Sequence, residues 1–245
     1  MTDPLAEFRL DGEVAVVTGG AGGLGRIVAT AFADVGAKVA SFDVTAAGPD
    51  GYRVDVTDEA QVKAAFAEVI GRHGRVDVLF NNAGIAIRQP TTELSLDDWN
   101  KVVAVNLTGV FLCAREAARH MLAAGRGGRI VNTASIMGVV GGGLYPNISY
   151  QATKGAVVNM TRALAVEWAR HGIRVNALAP SWIKTPLIAG LEERPEVMAE
   201  IGRVVPLGRL GEVEDLTGAL LFLASRASGM VTGHILAVDG GFLAQ

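Results

Sequence analysis

The feature that most restricts the fold is a glycine-rich segment, TGGAGGLG at 18–25, placed between an apolar strand-like run and a stretch of helical period. The run before it is VAVVT at 14–18, and the stretch after it is LGRIVATAFADVG at 24–36. A glycine turn in this place presents backbone N–H groups and the positive end of a helix with no β-carbons in the way, which suits a pyrophosphate. Because the strand and the helix are both present, the segment predicts a dinucleotide-binding turn and not an ordinary flexible loop.

The same alternation of strand and helix continues along the chain. The predicted strands cover 14–18, 38–43, 52–56, 76–81, 129–135, 173–179 and 235–241, and the predicted helices cover 24–36, 58–72, 97–124, 149–171 and 213–225. Strands that are apolar on both faces and joined by helices form a parallel sheet covered on both sides. The pattern therefore predicts an α/β fold: a single-domain doubly wound (Rossmann-type) parallel sheet with helices on both faces, over residues 1–245.

One connection departs from this pattern. Only 45–51 separate the second and third predicted strands, whereas a parallel crossover normally needs about a dozen residues or more. We expect the crossover helix to be very short or absent, with a turn at 48–51. The adenine side of a dinucleotide cleft should then be more open than usual.

The composition excludes several classes of protein. The chain has 245 residues with a formal net charge of −3, so it lacks the basic excess of a nucleic-acid-binding protein and a polybasic stretch for anionic lipid. Its apolar stretches are too short for a membrane span, and its first ten residues lack a signal-peptide pattern. Cys113 is the single cysteine and the histidines have no metal spacing, which predicts no metal site and a reducing, cytoplasmic location.

The end of the second predicted strand carries an acidic residue that bears on cofactor choice. Asp43 follows Gly25 by 18 residues, where a carboxylate can accept hydrogen bonds from both hydroxyls of an adenosine ribose. The same charge repels a 2′-phosphate. No Arg or Lys stands at the neighbouring loop positions Gly20, Ala21, Val44 and Thr45. These residues predict NAD in preference to NADP.

A second group of residues has the chemistry of proton transfer. Tyr150 and Lys154 lie four apart in a helical stretch and so share one helix face, which alone is typical of an ordinary surface. The pair, however, follows a strand that ends in Ser135. Asn106 lies inside an otherwise apolar helix, where an amide needs partners or a task.

Taken in order, the motifs resemble the short-chain dehydrogenase/reductase family over nearly the whole chain. The motifs are TGGAGGLG at 18–25, DVT at 55–57, NNAG at 81–84, Asn106, NTAS at 132–135, YQATK at 150–154, NALAP at 176–180 and VTGHILAVDGG at 231–241. The resemblance implies a catalytic tetrad of Asn106, Ser135, Tyr150 and Lys154. It also implies a homotetramer in which the helices at 97–124 and 149–171 pack between subunits.

The resemblance also implies a role for each tetrad residue. Tyr150 would be the general base in alcohol oxidation, with its pKa moved from about 10 toward neutrality by Lys154 together with the positive nicotinamide of the oxidised cofactor. Lys154 would also hold the nicotinamide ribose. Ser135 would donate a hydrogen bond to the substrate oxygen, and Asn106 would anchor a water that links Lys154 to solvent.

Residues that would bind the cofactor follow from the same resemblance. They are Gly19, Gly23, Leu24, Gly25, Asp43, Asp55, Val56, Asn81, Asn82, Ala83, Gly84, Tyr150, Lys154, Pro180, Trp182, Ile183 and Thr185. Asp55 and Val56 would flank adenine. The segment 182–211 would be a lid over the substrate.

Two features differ from the usual family pattern. Ser181 follows Pro180 where the family commonly has Gly, and Ser adopts positive φ reluctantly. The segment between Ser135 and Tyr150 is two residues longer than is common. Its residues Leu144, Tyr145, Pro146 and Asn147 either reach the substrate or form a plain surface loop, and the sequence favours neither.

The predicted function is an NAD(H)-dependent oxidoreductase that interconverts a secondary alcohol (a polyol, sugar or hydroxy compound) and its ketone. FRLDG, LEERPE, PLGRLGE and HILAVDGG are similar to segments of bacterial sugar-alcohol and secondary-alcohol dehydrogenases. Four basic residues of the lid are balanced by four acidic ones, which argues against a strongly phosphorylated substrate: Lys184, Arg194, Arg203 and Arg209 against Glu192, Glu193, Glu196 and Glu200.

Two alternatives remain open. A 3-oxoacyl-carrier-protein reductase would need a basic patch for its acidic partner, which Arg115, Arg119, Arg126 and Arg129 could form. A non-catalytic dinucleotide-binding regulator is disfavoured because such proteins commonly lose the Tyr or the Lys, and this chain has the full tetrad.

Overall fold

The computed structural model describes residues 3–45 and 48–245 and confirms the predicted fold class. Seven parallel strands form one sheet in the order β3-β2-β1-β4-β5-β6-β7. The strands are β1 (Val14–Thr18), β2 (Lys38–Asp43), β3 (Gly51–Arg53), β4 (Val78–Asn81), β5 (Gly128–Thr133), β6 (Ile173–Pro180) and β7 (Ile235–Val238). The direction of strand addition reverses between β1 and β4, and ligands of doubly wound sheets bind at such a point.

Helices cover both faces of the sheet. They are α1 (Gly23–Asp34), α2 (Glu59–His73), α3 (Leu96–Val103), α4 (Val110–Ala124), α5 (Ile148–Trp168), α6 (Ala189–Glu192), α7 (Pro195–Val204) and α8 (Glu214–Ala224), with a π-helical segment at Ala104–Gly109. Phe32 of α1 and Leu220 of α8 are buried with Phe80 against one face. Phe66 of α2 and Ala114 of α4 are buried with Leu79 against the other. The apolar faces of the helices therefore fix the sheet as a central layer.

The long helix predicted at 97–124 is divided by the π-helical segment. Gly109 explains part of the close packing there, because a β-carbon at this position would lie 2.7 Å from Cγ2 of Val56. Such π-helical turns lie inside α-helices and are frequent at functional sites. The backbone stays right-handed helical through both junctions, so the predicted helix is present but contains a π-helical turn that the sequence pattern did not indicate.

The short connection between β2 and β3 has no helix in its described part. Val44, Thr45 and 48–50 form bends and a turn, and the N–H of Gly51 donates to the carbonyl of Gly48 at 3.2 Å. The turn prediction is confirmed, while residues 46 and 47 lie outside the described residues. β3 pairs with β2 through three residues and ends at Arg53, three residues before the end of the strand predicted at 52–56. The N–H of Asp55 donates to Oε1 of Gln61 and not to a strand.

Glycines permit the turn after β1 to fold tightly against the start of α1. Gly19 has a φ of +65°. A β-carbon on Gly25 would lie 2.1 Å from the carbonyl oxygen of Gly19, and one on Gly20 would lie 2.8 Å from Cβ of Ser41. Since Gly25 meets backbone atoms and not a flexible side chain, its contact cannot relax without moving the turn.

Substitution within this turn tests the packing. Gly25→Ala should lower the free energy of unfolding by about 2 kcal/mol or more, because the new methyl group overlaps the Gly19 carbonyl. Gly22→Ala is the matched control, since a β-carbon there meets nothing within 4 Å. Urea denaturation of the two variants measures the difference, and equal stabilities would contradict the proposed packing.

No helix in 3–45 or 48–245 is long and apolar enough to cross a membrane. Within the same ranges, no group of three or more His, Cys, Asp or Glu side chains is placed to hold a metal ion.

Candidate active site

A cavity of about 680 Å³ lies at the carboxyl ends of the central strands. It is lined by segments that follow β1, β4, β5 and β6, together with Asp43 at the end of β2. Most of the predicted site residues line this one cavity: Gly19, Gly23, Leu24, Asp43, Asn82, Ala83, Gly84, Ser135, Tyr150, Lys154, Pro180, Trp182, Ile183 and Thr185.

Hydrogen bonds join the ends of β1 and β4 at the floor of the cavity. Oγ1 of Thr18 accepts from the N–H groups of Asn82 and Ala83, at 2.9 and 3.0 Å. Nδ2 of Asn82 donates in return to the carbonyl of Thr18 at 3.0 Å. These contacts fix the spacing between the loop after β1, which contains the glycine turn, and the loop after β4, which contains Gly84.

The glycine turn has the properties of a phosphate site. Gly22 is the N-cap of α1 and makes no side-chain capping bond, so the first N–H groups of the helix are free for a ligand. A β-carbon on Gly22 would meet nothing within 4 Å, which leaves open space in front of the helix. These residues fit the pyrophosphate of a dinucleotide.

Asp43 is held in place beside this turn. Its Oδ2 accepts from the N–H of Ala21 at 3.1 Å, and its Oδ1 accepts from the N–H and the hydroxyl of Thr45, each at 3.0 Å. The carboxylate is thus fixed at the cavity edge, where it can also accept from ribose hydroxyls. Arg53, the register partner of Asp43 on β3, is an exposed basic residue that the sequence reasoning did not weigh.

Several predicted residues do not line the cavity. Asn81 donates to the carbonyl of Val110 and to Oδ1 of Asn132, so it supports the core and not the cleft wall. Val56 is buried in the core, and Oδ1 of Asp55 accepts from the N–H and hydroxyl of Thr57. Gly25 lies beneath the turn. The expected contact of Asp55 and Val56 with adenine stays a prediction.

Three of the four residues expected to be catalytic, Ser135, Tyr150 and Lys154, line the cavity together. Ser135 follows β5 in extended backbone, and its Oγ accepts from the N–H of Met137 at 3.1 Å. Tyr150 and Lys154 lie on the first turns of α5, with the Lys154 Nζ 5.5 Å from the centroid of the Tyr150 ring. Lys154 is only 2% exposed, and its Nζ donates to the carbonyl of Thr133 at 2.6 Å.

Burial dominates the acid–base properties of this pair. It raises the pKa of Tyr150 to about 12, and a hydrogen bond with Ser135 and the charge of Arg88 lower it by less. Burial also lowers the pKa of Lys154 to about 8. The phenolate loses more hydration than these neighbours restore. The expectation that Lys154 and the oxidised cofactor together bring the phenol pKa toward neutrality stays a prediction.

Asn106 lies in the π-helical segment and is fully buried. Its Oδ1 accepts from the N–H of Ile85 at 2.8 Å, and its Nδ2 donates to the carbonyl of Ile85 at 2.9 Å. The side-chain amide thus holds the loop after β4 against the helix. Asn106 does not line the cavity, and its expected role as the anchor of a water stays a prediction.

The outer wall of the cavity contains side chains from the two segments that the sequence left uncertain. Tyr145 and Asn147 line the cavity, and the indole Nε1 of Trp182 donates to the Tyr145 hydroxyl at 3.0 Å. The loop before α5 is therefore part of the site and not only a surface loop. Ser181 causes no strain, since no non-glycine residue of the described chain has positive φ.

Arg88 is a cavity residue that the sequence reasoning missed. It lies four residues after NNAG, in the loop that follows β4. Its position after a strand end was the available signal, because functional side chains of parallel sheets cluster there.

Comparison with known proteins agrees with this geometry. A family model described as enoyl-(acyl carrier protein) reductase matches residues 19–243. D-threitol dehydrogenase of Mycolicibacterium smegmatis is 39% identical, over 96% of this chain and 95% of that protein. Cis-4-hydroxycyclohexanecarboxylate dehydrogenase of Sinomonas cyclohexanicum is 45% identical, over 94% of this chain and 96% of that protein.

A solved structure shares the whole architecture. The gluconate 5-dehydrogenase of Burkholderia cenocepacia, in complex with NADP and tartrate, superposes with a TM-score of 0.93 at 37% identity, covering 99% of this chain and 100% of that one. The matched family model, the full-length relatives and the shared fold lead to one conclusion. This chain belongs to the short-chain dehydrogenase/reductase family of oxidoreductases.

Proposed function

We propose that this protein interconverts a secondary alcohol and its ketone, with NAD as the preferred cofactor. The observation that carries the proposal is that Ser135, Tyr150 and Lys154 line the same cavity as the glycine turn and Asp43. The relatives named for threitol, hydroxycyclohexanecarboxylate and gluconate support a polyol, sugar or hydroxy compound as substrate. A screen of such alcohols with NAD and NADP, followed by nicotinamide absorbance, tests the proposal.

The residues have separate tasks in this reaction. A bound nicotinamide dinucleotide supplies the acceptor or donor of hydride. Ser135 Oγ donates a hydrogen bond to the substrate oxygen, and Tyr150 Oη takes the hydroxyl proton during oxidation or returns it during reduction. Lys154 holds a positive charge near the phenol and so favours its deprotonation. The segment 182–211 acts as the lid over the substrate, because its residues Trp182, Ile183 and Leu187 form part of the cavity wall.

The acid–base role of Tyr150 predicts a selective loss. Tyr150→Phe should lower kcat by about a thousandfold, because proton transfer by a positioned side chain contributes about 10² to 10⁴. NADH affinity should stay within about threefold, since the lost hydroxyl contributes little to dinucleotide binding. Steady-state rates and NADH fluorescence titration measure the two effects. A variant within a few-fold of the parent rate would contradict the assignment.

Lys154 should make stability depend on pH. Its pKa is lowered from 10.5 to about 8 by burial, so the unfolded chain binds more protons than the folded one between these values and stability rises with pH there. Relative to Lys154→Met, the parent should gain about 3 kcal/mol of unfolding free energy between pH 8 and 10.5. Urea denaturation of both proteins across this range gives the difference. A difference that does not change with pH would refute the buried charge.

Cofactor preference rests on Asp43. Asp43→Ala should lower kcat/KM for NAD by about tenfold to a hundredfold, because hydrogen bonds to a charged group are lost. The kcat/KM for NADP should change little, so the preference for NAD over NADP becomes smaller. Asp43→Asn keeps a hydrogen-bond acceptor but no charge, so it should lower kcat/KM for NAD by less than Asp43→Ala does. Arg53→Gln serves as the control for the basic neighbour and should leave NAD kinetics unchanged. A parent enzyme that prefers NADP would overturn this part of the proposal.

The first alternative is disfavoured. A carrier-protein reductase needs free basic side chains, and three of the four expected arginines are paired: Arg115 with Glu59, Arg119 with Glu116 and Arg129 with Glu13. Arg126 is exposed, but one arginine is not a basic patch. A non-catalytic regulator is disfavoured because the acid–base side chains are buried around the cavity.

We also propose the homotetramer and the cytoplasmic location expected from the sequence. Phe111 of α4 and Val166 of α5 are exposed apolar side chains on the helices expected to pack between subunits. Cys113 is buried and unpaired, which supports a reducing compartment.

A further inference from the structure

We propose that the substrate of this protein carries a carboxylate and that Arg88 binds it. The inference rests on the proposed function and makes its substrate class narrower, from secondary alcohols in general to hydroxy acids. It follows from the position, the fixation and the unbalanced charge of Arg88.

Arg88 lies close to the reacting groups. It lines the same cavity as Ser135 and Tyr150. Its positive charge is near enough to lower the pKa of the Tyr150 phenol. A ligand group bound to Arg88 would therefore belong to the same small molecule whose hydroxyl reaches Tyr150.

The guanidinium is fixed in orientation before any ligand binds. Its Cζ lies 5.1 Å from the centroid of the Tyr145 ring, and one Nη2 hydrogen goes to the carbonyl of Leu187 at 2.9 Å. Tyr145 is itself held by the hydrogen bond from Trp182. Arg88 Nε is buried without a hydrogen-bond partner, and the bond from Nη2 to Leu187 is the one hydrogen bond of the guanidinium among the described residues. The guanidinium thus has donors left for a ligand.

Arg88 has no counter-ion among the side chains that the structure describes. Arg75 pairs with Asp77 and Arg129 with Glu13. Arg174 also lacks a counter-ion, but it donates to the Ser228 hydroxyl and to the carbonyls of Ser225 and Val231, whereas the guanidinium of Arg88 donates to one carbonyl. A partly buried cation without an anion is unfavourable, and a carboxylate from a ligand offsets that cost with a charge-assisted hydrogen bond.

The rest of the wall limits what the anion can be. Ile136, Met137 and Ile188 add apolar side chains to the cavity wall. Phosphate recognition usually needs several convergent cations, whereas a single arginine suits a carboxylate. The structure therefore favours a hydroxy acid.

Two simpler roles for Arg88 compete with this one. As a lid contact to Leu187, it would affect all alcohols equally. As a charge that tunes Tyr150, it would shift the pH profile for all alcohols equally. Only carboxylate binding makes the effect of Arg88 depend on whether the substrate is an acid.

The experiment compares hydroxy acids with their neutral amides. Gluconate and cis-4-hydroxycyclohexanecarboxylate are each paired with the corresponding amide, and cyclohexanol is the neutral reference. The proteins are the parent, Arg88→Gln, Arg88→Lys and the control Arg203→Gln, which removes an exposed lid arginine paired with Glu200. The measured quantity is the ratio of kcat/KM for acid over amide, together with its pH profile.

We expect the parent to prefer at least one acid over its amide by tenfold or more, and Arg88→Gln to lose most of that preference. Arg88→Lys should keep part of it, and Arg203→Gln all of it. An unchanged urea denaturation curve shows that Arg88→Gln is folded, and the ratio of acid to amide cancels any effect of the substitution that is common to all alcohols. A parent without acid preference, or a preference that survives in Arg88→Gln, overturns the inference but leaves the proposed function intact. Failure of every alcohol to react overturns both.

Discussion

The site depends on one buried ammonium group. Lys154 Nζ donates to the carbonyl of Thr133, and this bond crosses from helix α5 to the end of strand β5. A second hydrogen bond joins the same strand and helix, since Nδ2 of Asn132 in β5 donates to Oγ1 of Thr161 in α5 at 3.0 Å. Gly138 packs closely against α5 at the same place, because a β-carbon there would lie 2.6 Å from the backbone of Lys154. The position of Ser135 relative to Tyr150 follows from this junction.

The same burial sets the electrostatics of the acid–base pair. It disfavours the charged form of both groups, so the pKa of Tyr150 rises while that of Lys154 falls. The two shifts move the pair away from phenolate and ammonium. A cationic nicotinamide ring would favour the phenolate of Tyr150 and disfavour the ammonium of Lys154, and its effect on the phenol would be strongest where hydration is weakest. Binding of the oxidised cofactor and activation of the base are in this view linked by charge.

The sequence predicted those parts of the molecule that depend on local pattern. The bounds of β1 and β2 were predicted to the residue. Most of the predicted cofactor-binding residues line the cavity, because strand ends and glycines can be recognised from the local sequence. The π-helical segment was missed since apolar periodicity does not register one extra residue in a turn. The rise in the Tyr150 pKa without a cofactor was not foreseen, because burial is a property of the packed site. Arg88 was missed because its environment is built from Tyr145 and Leu187, which are distant in sequence.

Arg88 joins three parts of the chain that no local pattern connects. It belongs to the loop after β4, stacks on the segment before α5 and donates to the lid at Leu187. A ligand anion that balances its charge would therefore strengthen the conformation in which the lid segment meets the cavity, since the guanidinium is then held by partners on every side. A neutral alcohol leaves the charge unbalanced and provides no such energy. Recognition of the acid and ordering of the lid over it would in that case be one physical event, carried by a single side chain.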